Sequence, residues 1–264
     1  SINKIFVSYQ SIKYGKPSIP KVMEYYNLSI NNNYLKNEKN LESLKFEKNI
    51  ELKNIYFDYD NNIEIIKNFN FKINRNEIIG ILGESGVGKS TLINLLTNLL
   101  LAKSGQIIVD GKEVNDPSDF RKYKNLFSIS TQDAYLADGT VKDNIIFGSN
   151  NEYSKDKVNE AIKFARLDKT IGNLPMGIET SVGSSIKQLS SGQKQRISIA
   201  RSFYSDRKVL IFDEATNALD EENEKFIFQN LKNFKKNKTI IIISHNPNNL
   251  EICDRVYKIE NKNL

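Results

Sequence analysis

The chain has 264 residues, 39% of them hydrophobic and 27% charged, with a net charge of +6. That is enough apolar chain for one substantial core, yet no run approaches the roughly 18 consecutive apolar residues of a membrane-spanning helix. Cys253 is the only cysteine, which excludes a disulfide framework and a thiolate metal cluster within one chain. The basic balance suits a nucleic acid, an anionic membrane surface or a polyphosphate ligand. Its charges are scattered, however, and the densest run, from Lys232 to Lys238, reads as a solvated face. Nothing resembles a signal peptide. The composition is that of a soluble, reducing-compartment chain or of a soluble piece of something larger, and Ser1 in place of Met suits an excised piece.

Residues 1–28 form a segment of their own. Ile2, Ile5, Phe6, Tyr9 and Ile12 recur at helical spacing until Gly15 and Pro17 interrupt. A second short helix is expected with Ser18 as cap, Pro20 in its first turn, and Val22, Met23 and Tyr26 on one face. This apolar stripe has too little chain around it to be covered locally, so it is expected to pack on something outside the chain. Residues 29–47, rich in Asn, Lys and Glu, read as a polar linker.

From about residue 48 the pattern becomes compact α/β. Strand-like alternation runs over 50–57 and 63–73, and Ile78–Leu82 reads as a buried strand entering a glycine loop. A helix is predicted from that loop through Leu100, then a strand over 106–109 ending in the turn Asp110-Gly111, and another strand over 127–130. Residues 141–204 read as mainly helical, punctuated by Leu174-Pro175 and Gly177. The apolar runs 209–212 and 239–243 have the length of central parallel strands covered on both faces.

The strongest chemical signal is Gly83-Glu84-Ser85-Gly86-Val87-Gly88-Lys89-Ser90. It fits the G-x-x-x-x-G-K-[ST] phosphate loop and stands between a predicted strand and a predicted helix, the context that such a loop needs. Glycines let successive backbone N–H groups point into one concavity, and the following helix adds the positive end of its dipole. Lys89 can then reach the β- and γ-phosphates, Ser90 can ligate Mg²⁺, and Thr91 can add a hydroxyl to the phosphate shell. The chain is therefore expected to bind a nucleoside triphosphate.

A second signal is the apolar run 209–212 followed by Asp213 and Glu214. It places two carboxylates at the carboxyl end of a central strand, beside the phosphate loop. Asp213 suits Mg²⁺, directly or through water, and Glu214 suits the attacking water; general-base assistance of this kind is worth ~10²–10⁴-fold in rate.

The third element is Leu189-Ser190-Ser191-Gly192-Gln193-Lys194-Gln195-Arg196, opening an apolar-periodic helix. Here the chain resembles the ATP-binding-cassette (ABC) ATPases, whose signature reads Leu-Ser-Gly-Gly-Gln, and the resemblance covers roughly residues 48–260. Tyr59 matches the aromatic that stacks on adenine, although an ordinary strand aromatic is the competing reading. Gln132 matches the Q-loop glutamine, Ala218-Leu219-Asp220 the D-loop, and His245, the only histidine, the switch histidine at the end of the last apolar strand. An imidazole there can hydrogen-bond the γ-phosphate or the displaced water.

The resemblance implies a P-loop NTPase of the α/β class. It has a RecA-like parallel-sheet core, a small antiparallel β subdomain from the first strands and residues 104–112, and an inserted α-helical subdomain over about 134–205. It also implies head-to-tail pairing with a second nucleotide-binding domain, most simply a homodimer. In that pair Ser190, Ser191, Gly192 and Gln193 of one chain face the ATP held by the other. Gln132, Glu214 and His245 are then catalytic, and Ser90, Gln132 and Asp213 hold Mg²⁺.

Four positions depart from the family. Ser191 replaces a signature glycine, where a serine can serve as helix cap; Thr131 and Asn217 replace a proline and a serine without evident chemistry; Ser184 replaces an acidic residue near Val182-Gly183. Three classes compete for the function, and intact Gln132, Glu214 and His245 argue against one of them, a nucleotide-gated interaction module that binds ATP but barely turns it over. A DNA- or ribosome-acting ABC ATPase would carry a long coiled coil or a second cassette, and neither is present in this sequence. An exporter with fused membrane domain is favoured by Leu174-Pro175-Met176-Gly177 and by residues 1–28, which resemble the end of a last membrane helix. That segment, from Ser1-Ile2-Asn3-Lys4-Ile5 through Tyr9 and Tyr14 to Tyr25-Tyr26-Asn27-Leu28, resembles flippases of lipid-linked oligosaccharides and related polysaccharide precursors. The expectation is an ATPase module at the cytoplasmic face of the inner membrane, docked on the membrane domain of its own full-length chain, with no nucleic-acid partner.

Overall fold

From Leu41 onward, apolar residues sort the chain into strands and helices, with a five-stranded parallel sheet among them. The computed structural model describes residues 2–21, 23, 43–59, 63–84, 86–149, 152–183, 189–235 and 237–259. They fall into two compact units, Ser1–Asn40 and Leu41–Leu264. In the first, α1 (Ile2–Gly15) carries the stripe with Phe6 and Tyr9 exposed. Helical backbone resumes over 18–21 and at 23, and Ser18 is already helical rather than a cap. The expected continuation through Tyr25 and Leu28, and the linker as far as residue 42, lie outside the described residues. Among the described residues no helix is long and apolar enough to cross a membrane.

The second unit begins with β1 (Asn49–Tyr59) and β2 (Ile63–Asn74), antiparallel with Ile50 opposite Ile73 and Leu52 opposite Phe71. β3 (Ile78–Leu82) runs into the glycine loop and α2 (Lys89–Leu96). That helix stops four residues before the expected Leu100. Thr97 bonds its hydroxyl back to the Ile93 carbonyl at 2.8 Å, and Asn98 turns left-handed at φ 55°, a common helix stop. β4 (Ser104–Val109) pairs with β1, and the left-handed turn Asp110-Gly111 leads to β5 (Lys112–Glu113). The antiparallel sheet thus has the order β2-β1-β4-β5.

Next come α3 (Pro117–Lys124) and β6 (Phe127–Thr131), then β7 (Gly139–Thr140), α4 (Val141–Ile146), α5 (Lys155–Phe164), α6 (Asp168–Gly172) and β8 (Ser181–Val182), which pairs with β7. α7 (Ser191–Tyr204) packs against α4, α5 and β6. β9 (Val209–Asp213), α8 (Glu221–Phe234), β10 (Thr239–Ser244) and β11 (Arg255–Lys258) complete the unit.

The parallel sheet has the order β11-β3-β10-β9-β6. Its central strands are buried on both faces, as continuous apolar runs require. Alternate residues serve two cores. Ile78, Leu210, Phe212 and Ile242 meet the helices α4, α5, α7 and α8, while Ile79, Ile81, Ile211 and Ile241 meet α2 and the antiparallel strands. Register decides where the chemistry lies. Leu82 is level with Ser244, and Ile243 and Thr131 are both level with Asp213. Gly83, His245, Glu214 and Gln132 therefore all leave the sheet at its carboxyl edge, where α/β sheets bind ligands.

Candidate functional site

The phosphate loop is shaped by its glycines. Gly86 and Gly88 take φ 83° and 104°, which side chains resist, and Gly88 delivers the chain directly into α2. A Cβ at Gly83 would lie 2.9 Å from Val87 Cγ2 and 3.2 Å from the Ile259 carbonyl oxygen, so a glycine is needed there for close packing. Lys89 is buried inside the loop. Its Nζ donates to the carbonyls of Gly83 (2.7 Å) and Glu84 (2.9 Å) and lies 3.2 Å from Glu214 Oε1. Ser90 and Glu84 are exposed and Val87 is half-buried; Ser85 lies outside the described residues. Thr91 shares a 3.1 Å hydrogen bond with the Tyr59 hydroxyl, while the Tyr59 ring, edge-on to Phe57, remains 47% exposed.

Against this loop lies a cleft of about 420 Å³, walled by Gly86, Gly88, Lys89, Ser90 and Thr91 on one side and by Thr131, Gln132, Asp133, Asp213 and Glu214 on the other. Burial pushes the Asp213 carboxyl above its ordinary value, and the charge of Glu214 pushes it further against the opposing pull of Lys89. A cation at this acid would relieve both effects. The donors around it are hard oxygens, from a carboxylate, a hydroxyl and a side-chain amide, which fit Mg²⁺.

Glu214 is held from several directions. Its backbone is left-handed at φ 51°, and its N–H donates to the Ile243 carbonyl at 3.1 Å. Asn217 Nδ2 donates to Oε2 at 2.9 Å, and His245 Nδ1 lies 3.7 Å from Oε1. The imidazole is 58% exposed at the rim. Asn217, expected to have no evident chemistry, thus touches the proposed base: an amide three residues beyond an acid can fold back onto it through one turn. Thr131, the other departure assigned no chemistry, lines the cleft, as does Asp133, which sequence reasoning did not single out.

The signature residues stand outside this cleft. Ser190, rather than Ser191, caps α7: its Oγ accepts from the Gln193 N–H at 3.3 Å, while Gln193 Oε1 accepts from the Ser190 N–H at 3.0 Å. This reciprocal pair satisfies two orphan donors, and it leaves Ser191 as an exposed first helical residue. Gly192 lies so close to the D-loop that a Cβ would meet the Ala218 carbonyl oxygen at 2.7 Å. Asp220 caps α8, accepting from the Asn223 N–H at 2.8 Å. Ser184 lies outside the described residues.

A model of the ABC transporter family matches residues 66–217. The chain is 39% identical over 216 residues to a Staphylococcus aureus (strain NCTC 8325 / PS 47) protein named as a multidrug export ATP-binding/permease protein, covering 81% of this chain and 37% of that one. It is 38% identical over 215 residues to a Rickettsia conorii protein named as an export ATP-binding/permease protein, covering 80% of this chain and 37% of that one. Among solved structures, a bacterial Atm1-family ABC exporter with ATP bound superposes with a TM-score of 0.80 at 28% identity, over 100% of this chain and 45% of the exporter. The chain thus spans 37% of the length of these curated relatives.

Proposed function

The chain belongs to the ABC transporter family, and from that membership we propose that it is the ATP-binding, ATP-cleaving module of a membrane exporter, working as a head-to-tail pair. The observation that carries this reading is the single cleft that gathers the phosphate loop, Gln132, Asp213 and Glu214 at one sheet edge. Loop amides and Lys89 receive the phosphates, Thr91 adds its hydroxyl, and the exposed Tyr59 ring offers a face to adenine. Ser90, Gln132 and Asp213 would hold Mg²⁺, Asp213 directly or through water; bound there, Mg²⁺ neutralises charge on the β- and γ-phosphates. Glu214 orients the attacking water and takes its proton as the water oxygen bonds to the γ-phosphorus. The bond from that phosphorus to the β–γ bridging oxygen breaks, and its electron pair leaves with ADP. His245 hydrogen-bonds the γ-phosphate from the rim. Ser190, Ser191, Gly192 and Gln193 serve the partner's nucleotide, a helix N-terminus facing an anion.

The relatives are longer and carry permease in their names. We therefore extend the proposal to a membrane domain in the same full-length chain, with the α1 stripe docking against it and the module at the cytoplasmic face of the inner membrane. A lipid-linked oligosaccharide as cargo rests on residues 1–28 alone.

The test is the ATP hydrolysis rate against protein concentration, with and without duplex DNA or ribosomes. A rate per chain that climbs with concentration and ignores nucleic acid is expected. Stimulation by nucleic acid would replace the exporter reading with that of a soluble ABC ATPase. Glu214→Gln is expected to keep ATP binding, lose ~10²–10⁴-fold in turnover and accumulate as an ATP-bound pair. Turnover equal to wild type would remove Glu214 as the base.

A further inference from the structure

Helix α7 starts at the residues proposed to meet a partner's nucleotide, yet its second turn is tied to this chain's own cleft. The tie is Gln195, only 1% exposed. Its Nε2 donates to the Gln132 carbonyl at 3.1 Å, and its Oε1 accepts from the Ala218 N–H at 3.0 Å. A primary amide supplies both a donor and an acceptor; an ionised glutamate lacks the donor and a lysine lacks the acceptor. One buried side chain thus satisfies a backbone group on each of two loops. The first loop carries Gln132 into the cleft, and the second joins Glu214 to Asp220.

Neighbouring contacts make this tie directional. One turn earlier, Gly192 lies against the carbonyl of the same Ala218, so the helix start holds that residue on its N–H side and its C=O side. Further along, Ser198 Oγ shares a 2.9 Å hydrogen bond with Ser130 Oγ, and Arg201 donates to the carbonyls of Tyr135 (3.1 Å) and Asn144 (2.8 Å). Spaced three residues apart, Gln195, Ser198 and Arg201 fasten one face of α7 along the segment around Gln132. A shift of the helix start is therefore transmitted to the Gln132 loop and to the loop that follows Glu214 together, both on the wall that faces the phosphate loop.

We propose that Gln195 is a positioning residue for ATP cleavage, coupling the start of α7 to the Gln132 loop and to the loop that follows Glu214. An anion drawn to the helix N-terminus then sets the geometry in which the cleft's own ATP is cleaved. This rests on the head-to-tail reading above, and the experiment separates the two. The 264-residue chain is compared with Gln195→Met, which loses both bonds, and Gln195→Glu, which keeps the Ala218 bond and opposes two acceptors at Gln132. Thermal melting reports folding, a nucleotide titration reports affinity, and hydrolysis at saturating ATP is followed across protein concentrations.

No cleft-lining residue is altered, so ATP affinity is expected to stay within about twofold in both variants. The kcat is expected to fall about ten- to a hundredfold in Gln195→Met, the scale of a small misplacement at a reacting centre. If Gln195→Met fails to fold, Gln195→Glu decides through the same split, with an expected loss of at least several-fold. A folded variant with kcat within twofold of an active wild type overturns the coupling role alone, as does a loss explained entirely by weaker ATP binding. A wild type without turnover at any concentration overturns the pairing reading and this role with it.

Discussion

At Glu214 the backbone is left-handed, and the same tight turn brings Asn217 back onto the carboxylate at 2.9 Å. A donor of this kind fixes which oxygen faces the cleft, and Lys89, 3.2 Å from Oε1, occupies the other side. Hydrogen bonds to charged groups contribute about 1.5–3 kcal/mol when buried and less at an exposed rim such as this one. Asn217→Ala is therefore expected to lower kcat about three- to tenfold while leaving the KM for ATP within twofold, since Asn217 is not among the residues that wall the cleft. Steady-state kinetics check the split, and a KM effect without a kcat effect would remove Asn217 from the support of the proposed base. Asp213, Glu214 and Lys89 were legible as residue types in a known motif. Asn217 was not, because its role depends on the φ of a neighbour, which sequence spacing does not reveal.

Two elements owe their boundaries to single polar side chains. Helix α7 starts where Ser190 and Gln193 exchange hydrogen bonds, and Ser190→Ala removes one half of that exchange. The expected cost is about 1 kcal/mol of stability, measured by urea or thermal unfolding; a change below the error of the melt would mean that packing alone fixes the helix start. At the turn between β4 and β5, the Asp110 carboxylate accepts from the N–H groups of Glu47, Lys48 and Asn49 at 2.6, 2.7 and 2.9 Å. Burial alone would push Asp110 up, but these bonds and the charge of Lys48 outweigh it and hold the carboxyl below its usual value. A carboxylate lowered by folding stabilises above its unfolded pKa, and that contribution is lost as pH falls through the lowered one. Asp110→Asn is thus expected to melt below wild type at pH 7, by about 1 kcal/mol for a largely exposed cluster, with the gap closing in acid. An undiminished gap at low pH would show that the charge is not what the three N–H groups recognise. β1 and β2 were readable from their alternation, whereas the short β7 and β8 and the edge strand β11 were not, being too brief to show a period. The end of α2 was not, because Thr97 and Asn98 stop a helix only through bonds that compete with further helical turns.

On the scale of the whole unit, legibility divides along contact distance. Apolar runs marked the buried strands, and motifs marked the loops at their ends, because both are local patterns. The register that sets Leu82 level with Ser244 and Thr131 level with Asp213 joins distant parts of the chain, as do the bonds of Gln195 to Gln132 and Ala218. No periodicity encodes such pairs; they exist only once the sheet has formed. The strand order carries a consequence for synthesis. β3 bears the phosphate loop, yet both of its neighbours, β10 and β11, arrive last: Ile78 waits for Ile240, and Ile79 waits for Ile241 and Arg255. At translation rates of 5–20 residues per second that delay is roughly ten to thirty seconds. Throughout it, a nascent chain exposes an apolar strand with neither edge paired, the kind of surface that aggregates or recruits chaperones. A chain cut short before β10 would hold every residue of the phosphate loop on a strand that lacks both of its neighbours.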